Sequence, residues 1–90
     1  MLEILAIDHI VLRTTKLNEM LQFYTKVLGC TIERETSQET GLTQLRAGNA
    51  LIDLVVVNSR LGAIGGGAPT KKARNVDHFC LQIKSMPESE

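Results

Sequence analysis

Ninety residues, with ten Lys and Arg set against ten Asp and Glu, allow one compact unit and leave no net field to attract nucleic acid or an anionic membrane. The apolar runs are short and broken by charge or glycine, and Met1-Leu2-Glu3 opens no signal-type segment, which predicts a soluble cytoplasmic chain. Cys30 and Cys80 stand singly without CxxC spacing, so a disulfide framework is excluded and both read as small buried hydrophobes.

Ile4 to Arg13, ILAIDHIVLR, is short and rich in branched apolar residues, the mark of a strand. A period of two puts Ile7, His9, Val11 and Arg13 on one face and Asp8, Ile10 and Leu12 on the other. From Leu17 the spacing becomes helical, because Leu17, Met20, Leu21, Tyr24 and Leu28 form one apolar stripe. Thr15 or Asn18 offers an N-cap oxygen and Gly29 a left-handed C-terminal residue, so the helix is expected from about 16 to 28. Met20 and Tyr24 on this stripe read as core.

Cys30 to Glu35, Leu42 to Ala47 and Ala50 to Val57 read as three antiparallel strands, the last two joined by a tight Gly48-Asn49 turn. In the third, Leu51, Asp53, Val55 and Val57 share a face, which leaves a carboxylate on an apolar row, where it needs a partner or a metal. Residues 58–75 have no sustained period and read as a Gly-rich linker. GAIGGGAP lacks the order of a phosphate loop, and Lys71, Lys72 and Arg74 have no interleaved aromatic to stack on a base. Val76 to Ile83 returns to strand character, with His78, Cys80 and Gln82 on one face.

Ile7-Asp8-His9-Ile10-Val11-Leu12 matches Val76-Asp77-His78-Phe79-Cys80-Leu81 position by position, at an offset of 69 residues. A repeat that long, spanning a strand, a helix and three strands, points to a duplicated unit whose second copy has only begun. Ser85-Met86-Pro87-Glu88 has the form of a capping box for that copy's helix. The expected fold class is therefore α+β: a βαβββ module with a mixed or antiparallel sheet over residues 1–57, the linker 58–75, and the first strand and helix start of a truncated second module over 76–90. One helix covers one sheet face, so the other is expected to lie open with Val11, Leu51, Val55 and Val57 on it, which predicts a two-fold homodimer.

IDHIVL, then LNEMLQFYTKVLGC with its Phe23-Tyr24 pair and Leu28-Gly29 end, then NALIDLVVV and VDHFCLQI, are similar in order and spacing to the vicinal oxygen chelate superfamily, the glyoxalase/bleomycin-resistance/dioxygenase group. The resemblance covers nearly the whole chain. It implies paired βαβββ modules forming a cupped sheet that holds a divalent metal, with the ligand positions falling on His9, Asp53 and His78. Many members of the family carry glutamate where Asp53 stands, and the fourth ligand, on a later strand, falls beyond Glu90.

Two imidazoles and a carboxylate suit Zn, Ni, Mn or Fe(II) with open positions for a chelating small molecule. The resemblance implies a metal-dependent lyase, epimerase or dioxygenase acting on a small α-oxo or vicinal-oxygen substrate, and assigns no further catalytic group. A metal-free drug-binding protein of bleomycin-resistance type is the alternative, with an inactive fragment the third. Phe23, Tyr24 and Phe79 are the whole aromatic complement, which weighs against a drug-stacking groove. Arg13, in phase with His9, reads as a solvated strand-end residue, and Asp8 as pointing away from His9.

Overall fold

A computed structural model describes residues 1–65 and 76–85, with the backbone alone at 77 and 79. The first branched run is β1, Ile4–Thr14, and the switch to helical spacing is obeyed by α1, Leu17–Gln22, which passes into a π-helical turn, Phe23–Val27. Then follow β2 (Thr31–Glu35), β3 (Leu42–Ala47), β4 (Ala50–Val56), α2 (Arg60–Gly65) and β5 (Val76–Ile83). They make one mixed five-stranded sheet in the order β2-β3-β4-β1-β5, parallel between β1 and β4 and antiparallel at the other three junctions. The expected α+β module with a mixed sheet is thus the observed one, and β5 extends its edge.

The helix begins one residue later than the cap residues suggest. Its N-cap is Lys16, which has no side-chain cap, and the Thr14 hydroxyl accepts the Lys16 backbone N–H at 2.8 Å. That bond turns the chain out of β1 and leaves neither Thr15 nor Asn18 as the cap. At the other end the Thr25 hydroxyl donates to the Leu21 carbonyl at 2.6 Å, an i−4 contact that competes with the helical ladder. The turn there widens to π geometry, and Gly29 leaves it with φ +78 as expected. In the Gly48-Asn49 turn only the glycine takes a left-handed φ, +64, while Ala47 and Ala50 close the β3–β4 ladder beside it.

One sheet face packs on the helix. Leu12, Leu45 and Leu54 form its centre, bordered by Ile10, Leu17, Met20, Leu21, Tyr24, Cys30 and Ile52. The stripe read from the sequence therefore meets alternate positions of β1, β3 and β4, where 3.6 and 2 residue periods face each other. Among the described residues no helix is long and apolar enough to cross a membrane.

Helix α2 stands in the segment whose composition marks it as linker, and residues 66–75 of that segment, like the capping box at 85–88 beyond Ser85, lie outside the described residues. Ser59 nucleates it. Its hydroxyl accepts the Gly62 N–H at 3.1 Å and donates to the Val56 carbonyl at 2.6 Å, which ties the first turn to the end of β4. Gly62 is required here, since a Cβ would meet the carbonyl oxygens of Val56 and Val57, and backbone cannot yield as a side chain can. Gly62→Ala is expected to cost about 1–3 kcal/mol by overpacking. Urea unfolding should show a lower midpoint, with amide exchange accelerated over 60–65; an unchanged midpoint would show that α2 is not held against β4.

Candidate functional site

Register places the polar residues of the other face. His9, Val11 and Arg13 on β1 lie beside Leu51, Asp53 and Val55 on β4, and Gln44 on β3 lies opposite Asp53. On the other flank His78 of β5 lies opposite Val11, and Cys80 opposite His9. Directly opposed residues share a face. His9, Asp53 and His78, the three positions drawn from the resemblance, consequently line one hollow of about 260 Å³ together with Arg13, Leu61 and Ile64. Two larger hollows beside α1 contain no histidine or cysteine in their walls.

Asp53 is buried, with 5 % of its surface exposed. One carboxylate oxygen, Oδ2, accepts from Gln44 Nε2 at 3.3 Å and stands 3.9 Å from His9 Nε2, too far for a hydrogen bond. The other, Oδ1, is buried and has no hydrogen-bond partner among the described residues. His9 Nδ1 lies 2.8 Å from Asp8 Oδ2, and because a carboxylate only accepts, the ring proton belongs on Nδ1. Nε2 then turns a lone pair toward the Asp53 carboxylate. Two acceptors facing each other across a low-dielectric hollow call for a cation or a proton between them. The His78 ring completes this wall, 5.5 Å from the His9 ring between centroids and nearly perpendicular to it at 85°.

Three sequence expectations are corrected by the tertiary structure. Asp8 does not point away from His9: the β1–β5 register slips between Ile7 and His9, and this bulge brings the Asp8 carboxylate onto the His9 ring. Arg13 is not solvated but 6 % exposed, and its Nη2 donates to the Gly62 carbonyl at 2.9 Å. Cys80 is exposed rather than buried, and Cys30 is half-buried. The expected bare face is also narrower than its apolar row suggests. Val11 and Val55 are buried because α2 folds back over that end, with Leu61 and Ile64 at the rim of the hollow.

The likeness to known proteins can be set against this geometry. Residues 6–89 match the family described as the Glyoxalase/Bleomycin resistance protein/Dioxygenase superfamily. The chain belongs to that superfamily. Among solved structures, it superposes on a hypothetical protein from Bacillus halodurans with a TM-score of 0.60 and 22% identity, covering 88% of this chain and 59% of that one. It superposes on methylmalonyl-CoA epimerase from Mycobacterium tuberculosis with a TM-score of 0.58 and 14% identity, covering 92% of this chain and 58% of that one. At these identities the likeness shows the fold alone, and the chain spans somewhat under two thirds of either structure's length. No curated protein sequence matches the chain.

Within this superfamily member, sequence reasoning missed Asp8 and Cys80 as neighbours of His9, and Ser59 as a helix start. A signal existed for Ser59, a capping residue ahead of Leu61 and Ile64. None existed for the other two, since the bulge that gathers them depends on pairing between segments about seventy residues apart in the chain.

Proposed function

We propose that this chain is the metal-binding module of a glyoxalase-type metalloenzyme, with His9, Asp53 and His78 holding a divalent cation, Zn, Ni, Mn or Fe(II), in the hollow. The observation that carries the reading is the buried Oδ1 of Asp53, unpartnered among the described residues, in a cavity shared with two imidazoles. Its donor set, one carboxylate oxygen and two ring nitrogens, suits such an ion and leaves open positions. A cation bound there supplies Lewis acidity to a small molecule that chelates through two oxygens, an α-oxo or vicinal-oxygen compound.

The chain's own residues prepare that site. Asp8 holds the His9 proton on Nδ1 and keeps Nε2 turned inward, the outer partner that a ligating histidine usually has. Gln44 orients Asp53 by donating to Oδ2. Val11, Val55, Leu61 and Ile64 wall the hollow with hydrocarbon and thin its water, which strengthens every charge interaction inside. The reaction stays at the level of lyase, epimerase or dioxygenase chemistry. A homodimer belongs to the same reading, because Ile4, Leu5, Ile7, Leu81 and Ile83 leave an exposed apolar edge along β1 and β5.

Size-exclusion chromatography with light scattering and metal analysis of the same peak tests both parts. The expected result is the mass of a pair carrying one metal ion per chain, with bound manganese lost in His78→Ala. A metal-free peak after incubation with each of the four ions would overturn the reading in favour of metal-free ligand binding.

A further inference from the structure

The β-bulge that turns Asp8 toward His9 builds a second group on the opposite side of the same imidazole. Cys80 is the direct cross-strand partner of His9, and such pairs stand with Cβ atoms about 4.5–5.5 Å apart on one face. The Asp8 carboxylate, the His9 ring and the Cys80 thiol each bring a donor atom to within 4.8 Å of the other two. Asp53 and His78 are not in this group. Its members lie along the β1–β5 flank, with Cys80 on an exposed edge strand and open to solvent.

We propose that Asp8, His9 Nδ1 and Cys80 form a separate site for a thiophilic cation such as Zn²⁺ or Cd²⁺, with water as the fourth ligand. Around a tetrahedral ion, metal–sulfur and metal–nitrogen bonds of about 2.3 and 2.0–2.1 Å set the donors of one site about 3.3–3.6 Å apart. Donors within 4.8 Å of one another therefore close by at most about 1.5 Å. The Cys80 side chain, held among the described residues by a 3.9 Å contact to the Leu81 carbonyl, and the half-exposed Asp8 can supply this closure by rotation. A thiolate is the ligand that separates this group from the hollow, where oxygen and nitrogen donors alone converge, and it selects a softer ion.

The two groups are linked through the ring they share. Binding at Nδ1 displaces the proton now donated to Asp8, the thiol proton leaves to solvent, and the ring proton returns on Nε2, facing Asp53 Oδ2 at 3.9 Å. A neutral imidazole offers one lone pair at a time, so an ion on the flank withdraws His9 from the hollow. The flank site is therefore antagonistic to the hollow.

Cobalt(II) titration of the purified chain tests this, because thiolate–cobalt ligation produces an intense near-ultraviolet charge-transfer band that oxygen and nitrogen ligation does not. The expected result is a band saturating at one ion per chain, abolished in Cys80→Ser, weakened about tenfold or more in affinity in Asp8→Ala, and retained in Asp53→Asn. A folded chain that shows no thiolate band under excess cobalt would overturn the proposal, as would a band that survives Cys80→Ser or disappears in Asp53→Asn. Metal binding in the hollow is read separately, from Asp53-dependent binding without that band, so either site can fail alone.

Discussion

Leu54→Ala is expected to lower the stability of this chain by about 3–5 kcal/mol, the upper part of the range for deleting a buried leucine. Leu54 and Leu45 are the fully buried large side chains among the described residues, both at 0 % exposure, and with Leu12 they make the centre against which α1 rests. A core this small has no second layer to relax into the void, so the cavity term adds to the lost transfer energy. At roughly 0.05–0.15 kcal/mol per residue a domain of this size has about 5–13 kcal/mol in total, and the loss is roughly a quarter or more of it. Urea unfolding followed by circular dichroism should show the midpoint fall with the slope unchanged. A loss under about 1 kcal/mol would mean that the helix face of the sheet is not where the folding energy lies.

Asp53→Asn separates stability from binding. Without metal the variant is expected to be at least as stable as the parent, because it removes a charge from a site where one oxygen has no partner and keeps the Gln44 contact within reach. With metal the order reverses. At a free concentration a hundredfold above Kd, binding to the native state adds about 2.7 kcal/mol, which raises the Tm of a chain this size by roughly 10–20 °C. The variant is expected to lose that gain, since a ligating carboxylate contributes more than the roughly 10–100-fold in affinity that an outer-shell partner does. Thermal melts with and without Mn²⁺, which the thiolate flank does not select, read both effects. Equal metal-induced shifts in parent and variant would remove Asp53 from the site, and a marked loss of stability without metal would make its carboxylate structural.

The arrangement also bounds one end of the hollow. Helix α2 is fastened at both ends of its first turn, by Ser59 to β4 and by Arg13 to the Gly62 carbonyl, and so it roofs the strand ends beyond Asp53. The opposite end of the hollow, lined by His9 and His78, lies toward the β1–β5 flank. That end is where Asp8 and Cys80 lie, and the flank group and the hollow share the His9 ring.

Local periodicity was enough to specify most of the elements. Alternation over Ile4–Thr14, the 3.6-residue stripe from Leu17 and the glycines at 29 and 48 are short-range features, and short-range sterics enforce them wherever the chain lies. The same alternation put His9 in phase with Arg13, and Asp53 with Val55, because strand parity survives any tertiary arrangement that keeps the strand intact. Tertiary structure alone decided what those faces meet. The slip at Asp8, the burial of Arg13 under Gly62 and the meeting of His9 with Cys80 join positions 49 to 72 residues apart, and no local sequence pattern encodes a register set by long-range pairing. Alternation could thus say which side of the sheet carries His9 and Asp53, while the pairing of β1 with β4 and β5 determined which groups touch.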